Sequence, residues 1–240
     1  MAIPLLADHG IARDVTRALR EAGPQAIGPL VQALLDPERP VDVRRRIPRI
    51  LGVFADERAV QGLLAGLEDV RFRVRLQCGA ALARLRDVAP DLTIERERLL
   101  AAVLREVEIE KHVWGGRREL ERLEKRADSP LVEDYVRERA SASLQHIFTL
   151  LSAALPEQAL LRLAFNGLHS GSSQSRGTAL EYLDSVLPSA IKEAVWPYLE
   201  ERGRRPRPTR TREEIIAELT SMNESMRFGI AELRKQLPEE

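Results

Sequence analysis

The sequence predicts an all-α fold built from stacked helical pairs. Three observations point there. Leu, Ala, Arg and Glu dominate almost every stretch, and apolar residues recur at spacings of three and four. Strand-like alternation is absent, and an aromatic content of 4 % disfavours a β-sandwich or barrel. A helix–turn–helix pattern also returns at regular offsets along the 240 residues.

Taken in order, residues 1–22 look like a degenerate or truncated first copy. QAIGPLVQALLD (25–36) aligns with RAVQGLLAGLED (58–69) at an offset of 33, so Ala26, Ile27, Leu30, Val31 and Leu34 fall on Ala59, Val60, Leu63, Leu64 and Leu67. The second helices follow at an offset of 31, with Val43, Arg44, Ile47 and Leu51 on Val74, Arg75, Cys78 and Leu82. The two-residue difference sits in the turn PERP (37–40), where an insertion is cheap. Within 71–86, Val74, Cys78, Ala81, Leu82 and Leu85 form one stripe, and Arg73, Gln77 and Arg84 form another.

A third copy lies at an offset of 101, with Leu161, Phe165, Gly167 and Leu168 in its first helix and Arg176, Ala179 and Leu183 in its second. A fourth, at an offset of 152 from the second, carries Arg227, Ile230 and Leu233. Thr211 and Glu214 have the spacing of a capping box that opens its first helix. The preceding ERGRRPRPTRT (201–211) has no apolar residue and reads as a mobile linker.

The middle, 93–154, departs from the pattern. Thr93 or Asp91 can cap a helix opening at Ile94 or Glu95, continued by a long helical stretch that Gly115-Gly116 interrupts. Ser129-Pro130 supplies a cap and an N-terminal proline to a second long helix, Leu131 to about Leu155. The expected organisation is therefore 1–92, a connector pair over 93–154, and 155–240, as one continuous array.

A polar residue six positions before an arginine recurs at the turns: Asp69–Arg75, Ser170–Arg176 and Ser221–Arg227, with Asp36–Arg44 in a longer turn. This pattern resembles the HEAT repeat. Its short form, with Val43-Arg44 and Val74-Arg75 opening second helices, is similar to the bacterial HEAT-like repeats first named after phycobilisome lyases. The resemblance covers 23–87 and 155–236. It implies a right-handed α-solenoid of HEAT-like pairs with an elongated, non-standard pair in the middle. In such a stack Asp69, Arg44, Arg75, Arg176 and Arg227 form a structural ladder, each arginine bonding carbonyls or an acid of the neighbouring layer.

Candidate chemistry is sparse. Lysine and arginine total 37, aspartate and glutamate 37, so the formal net charge is zero. A single cysteine, Cys78, excludes an intrachain disulfide and a cysteine-based zinc site, and it falls at a core position. None of the four histidines, His9, His112, His146 and His169, lies at a zinc-ligand spacing from another or from Cys78. The paired His-Glu motifs of the HEAT-like deoxyhypusine hydroxylases are missing. His146 reads as packed, and His169 as a residue ending a helix. Glu106, Glu108 and Glu110 read as solvated helix positions. No P-loop, dinucleotide fingerprint or nucleophile elbow occurs. The expectation is a protein that is not an enzyme and takes no cofactor or metal.

No apolar run approaches the roughly 18–20 residues of a membrane span. MAIPLLADHG lacks the basic n-region of a signal peptide, so a cytoplasmic location is expected, without direct membrane insertion.

Two features suggest a binding face. Trp114 beside Arg117 and Arg118, in HVWGGRR (112–118), would make an interaction anchor. Arg46, Arg49, Arg73 and Arg84, off the core stripe of the second helices, would line one surface. The leading expectation is a non-catalytic protein–protein interaction scaffold or adaptor whose partner is another protein. One alternative is a soluble regulatory module of a larger membrane-associated protein. GTALEYLDSVLP (177–188) and EEIIAELTSMNES (213–225) resemble HEAT regions appended to bacterial membrane proteins related to nucleotide translocases. A second alternative is nucleic-acid binding, as in HEAT-like alkylpurine glycosylases, which the neutral charge and scarce aromatics disfavour.

Overall fold

The computed structural model describes residues 2–122, 130–199 and 211–221; for 110, 112–122 and 130–137 it describes the backbone alone. Every regular element among the described residues is helical. The helices are α1 (Ala12–Glu21), α2 (Ile27–Leu35), α3 (Val41–Arg44), α4 (Ile47–Leu51), α5 (Glu57–Gly66) and α6 (Phe72–Val88). Then come α7 (Arg96–Arg122), α8 (Pro130–Ala154), α9 (Gln158–Leu168), α10 (Ser173–Val186), α11 (Ser189–Leu199) and α12 (212–221). Tight 3₁₀ turns at Ile3–Ala7 and Gly23–Ala26 precede α1 and α2. The chain forms two compact units: Met1–Glu106 with Ala142–Pro156, and Val107–Ser141 with Glu157–Glu240.

In the first unit, like packs on like. Helix α2 lies on α5, α4 lies on α6, and α5 closes against α6. The apolar stripes meet there: Leu30, Leu34, Ile47, Leu51, Leu63, Leu82 and Leu85 are fully buried. Each such side chain contributes about 1.5–3 kcal/mol by leaving water. Small residues set the helix spacing. A Cβ at position 66 would come within 2.5 Å of Cys78 Sγ, and one at position 62 would run into Val31. Asp56 opens α5 by accepting a hydrogen bond from the Arg58 backbone N–H at 2.8 Å.

Two local expectations are corrected. The second helix expected to run from Val43 through Leu51 is broken into α3 and α4. Pro48 has no N–H to return to the carbonyl of Arg44, so the chain turns at Arg45-Arg46 and restarts with Pro48 in its first turn. Conversely, α7 runs unbroken through Gly115-Gly116, where an interruption was expected. Two glycines cost about 1 kcal/mol each relative to alanine, which the strong helix formers around them offset.

The second unit repeats the local logic. Helix α9 packs on α10, where a Cβ at position 167 would sit 3.1 Å from the Ser175 carbonyl oxygen. Ser172 caps α10 by accepting from the Ser175 N–H at 3.3 Å. The capping box of α12 closes in both directions. The Thr211 N–H donates to Glu214 Oε2 at 2.8 Å, and the Glu214 N–H donates to Thr211 Oγ1 at 3.3 Å. Tyr182 is fully buried and its hydroxyl donates to Glu157 Oε2 at 2.8 Å, while Arg212 pairs with the other oxygen of that carboxylate.

Candidate interaction surface

The turn arginines occupy equivalent places and bond in the same two directions. Arg44 donates backward from Nε to the Leu34 carbonyl at 2.8 Å, and forward to the carboxylate of Asp69. Arg75 donates backward to the Asp69 carbonyl at 2.9 Å, and forward to both oxygens of Glu106 at 2.7 and 3.0 Å. Arg176 donates backward to the Leu168 carbonyl at 2.9 Å, and forward to the Leu199 carbonyl. For Arg44 and Arg176 the backward bond satisfies an orphan carbonyl at the end of the preceding helix, for Arg75 it reaches the turn after α5, and in each case the forward bond ties in a later element. Arg227 lies outside the described residues.

Asp69 is the hub of the first unit's ladder. One carboxylate oxygen takes Arg44, the other accepts the Arg71 N–H at 2.7 Å, and its backbone carbonyl takes Arg75. Glu106 is a correction. It is buried, with 2 % exposure, so the expectation of a solvated position does not hold for it. A carboxylate so placed is stable only when paired and hydrogen-bonded, and the Arg75 fork does both. Glu108, by contrast, is exposed and pairs with Lys111.

Cys78 is completely buried, and burial pushes its thiol up, with the Asp69 charge adding to the shift and Arg44 opposing it. His146 on α8 is also buried; its ring stands edge-on to Phe72 at 5.9 Å, and Gly79 gives it room. His169 ends α9, with Nδ1 2.9 Å from the Phe165 carbonyl oxygen. Among the described residues, no three His, Cys, Asp or Glu side chains are placed to share a metal ion. No helix among them is long and apolar enough to cross a membrane.

The candidate surface arginines divide. Arg46 turns inward, half-buried, and donates to the Leu6 carbonyl, tying the N-terminal 3₁₀ turn to the start of α4. Arg49 faces outward and donates from Nε to Gln77 Oε1 on α6 at 3.0 Å. Its backbone carbonyl accepts Arg20 Nη2 of α1 at 2.8 Å. Gln77 stands one turn from Arg73 and two turns from Arg84 on the same helical stripe, with Ala80 between. Arg73, Ala80 and Arg84 are exposed. Arg20, Arg49, Arg73 and Arg84 therefore form a belt over α1, α4 and α6.

Sequence reasoning missed Arg20, because residues 1–22 look degenerate; the spacing of Arg13, Arg17 and Arg20 along one face of α1 was the available signal. Trp114, Arg117 and Arg118 lie on α7, and their side chains fall outside the described residues.

The belt differs from the ladder in what holds its cations. Ladder arginines Arg44 and Arg75 are buried against acids. Arg20 and Arg49 are oriented by a carbonyl and an amide oxygen, which fix a guanidinium without neutralising it. No family model, curated protein or solved structure matches the chain.

Proposed function

We propose that this chain is a non-catalytic protein-interaction scaffold, a right-handed α-solenoid of HEAT-like pairs that works in the cytoplasm and uses its second-helix face. One observation carries the proposal: exposed Arg20 on α1 and Arg49 on α4 are oriented by neutral acceptors rather than by acids, beside the exposed Arg73 and Arg84 of α6. Orienting a long side chain beforehand removes part of the entropy cost of binding. The serial layering of α2 on α5 and α4 on α6, with turn arginines bonding forward, supports the solenoid arrangement.

A photo-crosslinking residue at Ala80, in the middle of the belt, tests the proposal against the same residue at Gln32 on the exposed side of α2. Expressed in its own cells, the Ala80 probe should give a discrete adduct that protease removes and nuclease leaves intact. Adducts from Gln32 alone would place the working face elsewhere. A nuclease-sensitive Ala80 adduct, or no adduct from either site, would remove the scaffold reading.

A further inference from the structure

We infer that the arginine belt receives an acidic segment of a partner protein, carrying carboxylates at both ends and an apolar side chain between them. The inference rests on the scaffold reading and names the partner's chemistry. Arg73 and Arg84 are eleven residues apart on α6, about 16 Å at 1.5 Å per residue. An extended strand covers that span with about five residues. Between them Ala80 is exposed and carries only a methyl group, leaving space for an apolar side chain above the helix. Arg49, held at Gln77, enters the middle of the row from the side with N–H donors of its guanidinium still to give.

The same face argues against a nucleic-acid backbone. Glu21 is exposed on α1 beside Arg17 and Arg20, and a continuous phosphate track would meet it. Arg17 is already paired with Asp14 at 2.6 Å. The exposed positions of α1, α4 and α6 carry no aromatic side chain for stacking on bases. A partner with discrete carboxylates can pair with Arg49, Arg73 and Arg84 and avoid Glu21.

The test uses the full chain and two fluorescent probes: a short glutamate peptide with one central leucine, and a DNA duplex of equal charge. At about 0.1 M salt, where exposed charges act over roughly 10 Å, the peptide should bind saturably. The Arg73→Gln/Arg84→Gln double variant, at exposed positions, should weaken it at least tenfold, roughly the loss of one or two charge-assisted contacts. Arg58→Gln on α5 should leave binding unchanged, and circular dichroism should show both variants folded. Absence of peptide binding, equal weakening by Arg58→Gln, or tighter binding of the duplex at the same arginines would overturn the inference. If the peptide fails while the Ala80 probe still captures a protein, the acidic partner falls and the scaffold reading stands. If both fail, both fall.

Discussion

Arg75 and Glu106 meet in a two-point ion pair across 31 residues of sequence, Nε to Oε2 at 2.7 Å and Nη2 to Oε1 at 3.0 Å. Side-chain exposures of 4 % and 2 % make it a buried pair, so each charge depends on the other. The same guanidinium also holds the carbonyls of Asp69 and Val70, at 2.9 and 3.2 Å, so the pair fastens α7 to the turn between α5 and α6.

Breaking this pair from one side should be costly. Glu106→Ala leaves a buried guanidinium without its acid, and the expected loss is about 3–5 kcal/mol. The double change Arg75→Met/Glu106→Leu should cost clearly less than either single removal, because no charge remains buried. Urea titrations of the wild type, Glu106→Ala, Arg75→Met and the double variant, followed by circular dichroism, measure the difference. Equal losses in single and double variants would show that packing, not charge, dominates there.

Gly66 is expected to be intolerant of a methyl group. A Cβ there would approach Cys78 Sγ to 2.5 Å and a Leu34 methyl to 3.2 Å, so Gly66→Ala should destabilise by about 1–3 kcal/mol. Cys78→Ala removes the nearest atom, and adding it to Gly66→Ala should recover part of the loss. Thermal unfolding of both singles and the double forms the cycle; simple additivity would contradict the contact.

Asp56 should contribute through its cap, with a definite pH dependence. Asp56→Ala is expected to cost about 1 kcal/mol at neutral pH. The Arg58 side chain, bonded to the carboxylate, holds Asp56 below its ordinary value of 3.8. A depressed folded-state pKa means the charge-dependent stabilisation is complete above 3.8 and disappears as pH falls through the lowered value. The wild-type advantage over Asp56→Ala, measured by urea unfolding between about pH 7 and 2, should therefore shrink at the acid end. An advantage constant down to pH 2 would rule out this contribution.

At the alkaline end the sign reverses. Burial holds the Cys78 thiol and the Tyr182 phenol above their ordinary values of 9.0 and 10.0, and Glu157 adds to the shift at Tyr182. Above those values the unfolded chain releases protons that the folded chain keeps, so stability falls as pH rises. Each group can contribute up to about 1.4 kcal/mol per pH unit in that window. Cys78→Ala should flatten the decline beginning near pH 9, and Tyr182→Phe the part beginning near pH 10. An unchanged slope in both variants would show that neither group is linked to folding.

Much of the local structure was legible in the chain. Helical periodicity marked the elements, and the capping box at Thr211 and Glu214 is present with both bonds made. Cys78, on an apolar stripe, is buried, and so is His146 beside Ile147 and Phe148. These features depend on residues within a turn or two of one another. Pro48 shows the limit of reading stripes alone: Val43, Ile47 and Leu51 keep their helical spacing although the missing N–H breaks the helix between them.

The charged residues were harder. Glu106, Glu108 and Glu110 alternate along one segment and look equivalent, yet Glu106 is the buried partner of Arg75. Arg46 and Arg49 are three residues apart, and one closes on the Leu6 carbonyl while the other reaches Gln77. Arg20 joins the belt only because α1 lies beside α4.

By itself, then, the amino-acid order determined the helical class, the caps and the apolar stripes, since hydrogen bonding and side-chain periodicity act over a few residues. Only the tertiary structure decided which arginines are buried and paired and which remain outward and charged. That choice depends on the water each group loses and the acceptor it meets, and both are supplied by helices distant along the chain.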